Sequence, residues 1–126
     1  MPTAESRAIL PTRVSQKDAV YNIGRVALLV AALTTGRFQD LRVATQDRLH
    51  QPARLKIFPP AKYIFQAALD AGALAVFLSG GGSSVLALTL DREITIGYEM
   101  AEAASKAGVD GDVIVTQPTS KGAHVV

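Results

Sequence analysis

The sequence has no cysteine. Disulfides, thiolate catalysis and cysteine-ligated metals are therefore excluded. Aromatic residues make up only 6% of the chain, and its lysines and arginines are scattered from Arg7 to Lys121 without a dense cluster. A nucleic-acid groove needs a basic stripe interleaved with stacking aromatics, so nucleic acid is not an expected partner. The longest apolar run, Val26 to Leu33, is far too short to cross a bilayer. No apolar secretory segment follows Met1-Pro2-Thr3-Ala4-Glu5, and a cytoplasmic location is the default expectation. No spacing of histidines and carboxylates reads as a metal site. No Ser-His-Asp arrangement is present, because the only two histidines, His50 and His124, lie far apart.

What remains is an ordinary globular composition. The 126 residues are 48% hydrophobic and 19% charged, which suits one compact domain with a real core. The net charge of +2 is a modest basic bias that fits a small acidic ligand, a phosphate or a carboxylate.

Helical signals dominate the first half. Thr3 to Leu10 can form a short helix capped by Thr3 and ended by Pro11. Ser15 caps a second helix, with Asp18 at its third position. Ala19, Val20, Ile23, Val26, Ala27, Val30 and Ala31 then recur at three- and four-residue spacing up to Gly36. Leu28, Leu29, Ala32 and Leu33 add apolar residues on the remaining faces, so the end of this helix is expected to be buried nearly all round. Phe38, Leu41, Ala44 and Leu49 mark a third helix, running out at Pro52. Arg54 to Pro60 reads as irregular. A helix follows from Pro60 to Gly72.

The period then changes. Ala73–Leu78 and Val85–Leu90 are short apolar runs flanking Gly80-Gly81-Gly82, the pattern of two buried strands joined by a tight loop. Glu93 to Ala107 fits a helix that stops at Gly108. Val113–Val115 and His124–Val126 read as further strands, giving an α+β chain with a small, mainly antiparallel sheet of three or four strands.

Three segments could carry chemistry. In Ser79-Gly80-Gly81-Gly82-Ser83-Ser84, glycines permit positive φ, and successive free N–H groups can form an anion-binding nest. A plain hairpin turn explains the same residues about equally well. No Gly-Lys-Ser/Thr ends the loop, so it is not a Walker P-loop. Asp47-Arg48-Leu49-His50-Gln51-Pro52-Ala53-Arg54 gathers polar groups, among them an arginine suited to gripping a carboxylate and a histidine that titrates near neutrality. Taken alone, it reads as a solvated helix end. Thr3 and Arg7 share a helical face, as do Asp18 and Asn22, and neither pair by itself suggests more than caps and surface charge.

Together and in this order, these segments resemble the C-terminal half of the homoserine kinases, within the GHMP family of small-molecule kinases. The resemblance rests on Thr3-Ala4-Glu5-Ser6-Arg7 with Leu10-Pro11, Asp18-Ala19-Val20-Tyr21-Asn22, Asp47 to Pro52 with Arg54, Ala71-Gly72-Ala73, Leu78 to Ser84, and Gly122 to Val126. It implies a ferredoxin-like α+β C-terminal domain over residues 1–126, lacking the N-terminal domain that holds ATP and the Mg²⁺ environment. It implies transfer of the ATP γ-phosphoryl group to the hydroxyl of L-homoserine in threonine biosynthesis. Thr3, Arg7 and Arg54 are then substrate contacts, with Arg54 on the carboxylate. Ser79, Gly80, Gly81, Gly82 and Ser83 form the third family motif beside the phosphates. The family loop usually reads Gly-Ala-Gly-Pro, so Gly81 and Ser83 depart from it.

The resemblance names no catalytic base and no metal ligand in this chain. Alone, the chain is expected to fold without turnover. Its expected partners are homoserine, ATP and the N-terminal domain, with a homodimer as a further assembly. Two alternatives stay open: another GHMP kinase, or a non-catalytic binding or dimerisation module on the same fold.

Overall fold

The computed structural model describes residues 3–123. The expectations for the N-cap side chain of Thr3 and for a strand at His124–Val126 lie outside the described residues.

The chain opens with α1 (Thr3–Ala8) and the long α2 (Gln16–Thr35). Ser15 accepts from the Asp18 amide at 3.1 Å, and its hydroxyl donates to the Asp18 carboxylate at 2.7 Å. This reciprocal cap fixes where α2 begins. Gly36, at φ 71°, ends it in the left-handed conformation. A single 3₁₀ turn, Phe38–Asp40, runs into α3 (Leu41–Ala44). Then come α4 (Gln51–Ile57), α5 (Ala61–Asp70), strands β1 (Ala75–Leu78) and β2 (Val85–Leu88), and α6 (Glu93–Lys106).

The two strands pair antiparallel, with Ala75 opposite Leu88, Val76 opposite Ala87, Phe77 opposite Leu86 and Leu78 opposite Val85. Side chains alternate across the pleat, so one face carries Val76 with Val85 and Ala87, and the other Ala75 with Leu88. The first face packs on Ala68, Ala71, Ala73 and Ile96, with Phe65, Leu69 and Met100. The second packs on Ala32 and Leu41, with Leu29, Phe38 and Leu74. The hairpin is thus the middle of three layers, with α5–α6 on one side and α2–α3 on the other. β1 is largely buried on both faces, which is why it reads as a continuous apolar run, while β2 is half-buried with Leu86 exposed. This is the α+β architecture expected.

Four expectations are corrected. Val113–Val115 is not a strand: these residues are half or more exposed, and no ladder partner lies beside them among the described residues. A strand needs a hydrogen-bonded neighbour, and apolar composition alone does not supply one. The sheet among the described residues is accordingly the single hairpin.

The outer face of α2 is not buried. Val20, Ile23, Val26, Val30 and Leu33 are each more than half exposed, while Ala32 is buried. The periodic stripe that made the helix legible points away from the other layers.

The third helix ends at Ala44 rather than continuing toward Pro52. Finally, Gln51–Ile57 is helical, although three prolines (Pro52, Pro59 and Pro60) suggested an irregular stretch. Pro52 sits in the first turn, where its missing N–H leaves nothing unsatisfied.

Candidate functional site

The site is built on the start of α4. Asp47 precedes the helix, and one of its carboxylate oxygens accepts the backbone N–H groups of His50 at 2.8 Å and Gln51 at 2.7 Å. The other oxygen accepts from Asn22 Nδ2 at 2.7 Å. Asn22 Oδ1 in turn accepts the Arg48 amide at 3.0 Å. A carboxylate at a helix start satisfies orphan donors and meets the positive end of the dipole. Burial pushes the Asp47 carboxyl up, but its bonds from Gln51, Asn22, His50 and Leu49 together hold it below its ordinary value. The segment read as a solvated helix end is therefore a capped helix start, pinned to α2.

With its start fixed, α4 aims its side chains. Gln51 is buried, and its Oε1 accepts the Leu78 amide at the end of β1, at 3.0 Å. His50 and Arg54, one turn apart, share a face. Arg54 Nη1 meets His50 Nδ1 at 2.7 Å and donates to Gly80 O at 3.1 Å. Arg54 Nε donates to Ser6 Oγ at 3.0 Å, and the Ser6 hydroxyl donates to Gly81 O at 2.8 Å. A guanidinium only donates, so Nδ1 of His50 is the acceptor and its neutral ring carries the proton on Nε2.

The glycine loop closes through Ser79 N–H on Ser84 O at 2.9 Å and Gly82 N–H on Ser79 O at 3.1 Å. Its glycines serve two purposes. Gly80 and Gly82 hold positive φ, 58° and 80°, which side chains disfavour. Gly81 makes room: a Cβ there would lie 3.0 Å from Ser6 Oγ. The carbonyls of Gly80 and Gly81 turn toward Arg54 and Ser6. The amides of Gly80, Gly81 and Ser83 take no hydrogen bond among the described residues. Ser79, Ser83 and Ser84 are exposed on the loop.

α1, α4 and the loop enclose a cleft of about 490 Å³, lined by Ser6, Arg7, His50, Arg54, Phe77, Leu78, Gly80 and Gly81. Arg7 is exposed at its edge. Of the residues read from the sequence, Arg7, Arg54, Gly80 and Gly81 therefore share one cleft. Ser6, only 1% exposed, and Asp47 both lie inside the segments that could carry chemistry, yet neither has a role legible in the sequence. Nothing in the sequence signalled Ser6, because only the fold brings the glycine loop, 75 positions away, beside it. No group of three or more histidine, aspartate or glutamate side chains among the described residues could hold a metal ion. No described helix is long and apolar enough to cross a membrane.

Burial lowers the pKa of His50, Asp47 opposes this, and the charge of Arg54 adds to it. The unfolded chain then binds this proton more readily than the folded one. The contribution to stability is complete above the ordinary histidine value of 6.5 and is lost as pH falls through the lowered folded value. Unfolding measured between about pH 8 and about pH 5 should show stability falling on the acid side, and His50→Gln should flatten that part of the profile. An unchanged slope in His50→Gln would place the titration elsewhere.

Residues 29–108 match the protein family described as GHMP kinases C terminal. The homoserine kinase of Moorella thermoacetica is 43% identical over 126 residues, covering 100% of this chain and 43% of its own length. That of Thermococcus kodakarensis is 43% identical over 117 residues, covering 93% of this chain and 40% of its own length. In the crystal structure of the homoserine kinase from Cytophaga hutchinsonii, a region 34% identical superposes with a TM-score of 0.81, covering 85% of this chain and 35% of that one. The chain thus spans about two-fifths of the length of these sequence relatives.

Proposed function

The chain belongs to the C-terminal domain family of the GHMP kinases, and on that premise we propose that it is the substrate-holding part of a homoserine kinase. The observation that carries this reading is the meeting of Arg7, Arg54 and the glycine loop at one cleft. Arginine is the side chain best suited to a carboxylate, and free loop amides suit phosphate oxygens. The relatives named homoserine kinase supply the substrate class.

In the proposed reaction, the homoserine hydroxyl oxygen bonds to the γ-phosphorus of ATP. The bond from that phosphorus to the bridging oxygen breaks, ADP leaves, and the hydroxyl proton passes to solvent or a base. Such transfers depend on positioning and charge stabilisation more than on covalent help. Here Arg54 holds the amino-acid carboxylate with its remaining nitrogen, Nη2, since Nε and Nη1 are engaged within the protein. Arg7 and Thr3 complete the substrate contacts. Ser79 to Ser83 border the phosphates, with the amides of Gly80, Gly81 and Ser83 available as donors.

No cluster of three or more acidic or histidine side chains that could hold a metal ion lies among the described residues. ATP and Mg²⁺ are held mainly by the N-terminal GHMP domain, which is part of the proposal. So are a cytoplasmic location and a homodimer.

The test is homoserine-dependent ADP release by the full-length protein that carries this sequence. Turnover with homoserine, in preference to other small alcohols, is expected. Preference for a mevalonate-type alcohol would reassign the substrate within the family. No ADP release with any alcohol would favour a binding module.

A further inference from the structure

Arg54 does not hold its own place. Its guanidinium sits where α1, α4 and the glycine loop converge, and the polar atom at the centre of that junction is Ser6 Oγ. This oxygen accepts Arg54 Nε at 3.0 Å and donates its proton to Gly81 O at 2.8 Å. Both capacities of one hydroxyl are thereby used, one on the arginine and one on the loop. Ser6 is 1% exposed, and removing its hydroxyl takes away a bond from both the Arg54 Nε–H and the Gly81 carbonyl. Gly81 leaves just enough room, since a Cβ there would approach Ser6 Oγ to 3.0 Å.

We infer that Ser6 is a positioning residue, which orients Arg54 toward the substrate and registers the glycine loop against it. The inference rests on the proposed carboxylate-binding role of Arg54. Nε fixes the plane of the guanidinium. With Nε on Ser6 and Nη1 shared by His50 and Gly80, the plane is set and Nη2 is the nitrogen left to face a ligand. Without Ser6, the fork turns about its stem, and the Gly81 carbonyl loses its partner. The substrate then meets an arginine that must be ordered at the moment of binding, and affinity falls.

The experiment is a double-mutant cycle on the full-length protein, using Ser6→Ala, Arg54→Ala and the pair, with homoserine KM and kcat measured for each. Ser6→Ala should raise KM about tenfold, with a smaller change in kcat. The pair should be no worse in KM than Arg54→Ala alone, because Ser6 acts through Arg54. Thermal unfolding of each variant accompanies the kinetics. Gly81→Ala provides a second route: it presses on Ser6 while keeping its hydroxyl, and should raise KM in the same direction. If Arg54→Ala leaves KM unchanged, the carboxylate reading fails, whatever Ser6 does. If Arg54→Ala raises KM but Ser6→Ala and Gly81→Ala do not, or the two single effects simply add in the pair, Ser6 is a packing residue and the inference is overturned.

Discussion

Arg54→Ala in the full-length protein should raise the homoserine KM about 10- to 100-fold. A hydrogen bond to a charged group is worth about 1.5–3 kcal/mol, and each 1.4 kcal/mol is about a factor of ten. The loss falls on binding more than on chemistry, because the carboxylate keeps its charge throughout phosphoryl transfer and gains nothing extra in the transition state. Arg54→Lys restores the charge without the planar fork. It cannot satisfy Ser6, His50 and Gly80 together, so it should recover only part of the loss. An amino alcohol of the same length without the carboxylate provides the control: its turnover should be nearly indifferent to Arg54→Ala. A homoserine KM unchanged in Arg54→Ala would remove this residue from the substrate site.

Asp47→Ala should be the most damaging change to the scaffold around the site. The side chain of Asp47 is 8% exposed, and it carries two backbone bonds at the start of α4 and one from Asn22. Removing a helix cap costs about 0.5–2 kcal/mol, and leaving a buried partner unsatisfied costs about 1–3 kcal/mol more. A total of about 1.5–5 kcal/mol is expected, read as a lower unfolding midpoint and faster amide exchange at His50 and Gln51. Asp47→Asn keeps an acceptor and should lose less. The lowered pKa of Asp47 gives the sign with acid: its contribution is complete above the ordinary carboxylate value of 3.8 and is lost as pH falls through the lower folded value. A midpoint unchanged in Asp47→Ala would show that α4 starts where it does for another reason.

These two residues differ in how they could be seen beforehand. Arg54 was legible because its chemistry suits a carboxylate and its segment carries a family resemblance. Its place on a helix was not, since the neighbouring prolines argued for a loop. Asp47 was visible as part of a motif but not as a cap. Its carboxylate reaches forward past two residues to His50 and Gln51, outside the usual capping positions. Ser6 was missed for a simpler reason. A serine beside an arginine on a short helix looks like surface, and only the loop 75 positions away along the chain makes it buried.

The sequence alone determined part of the local structure. Ser15 and Gly36 set the ends of α2, and the two apolar runs around Gly80-Gly81-Gly82 became the hairpin. Caps, turns and periodicity act between residues close along the chain, so they can be read there. Only the tertiary structure decided which side of α2 is covered, that Val113–Val115 has no strand partner among the described residues, and that Ser6, Arg54 and Gly81 meet. Those outcomes depend on which surfaces distant segments present to one another, and hydrophobic periodicity gives a helix a stripe without saying what lies against it.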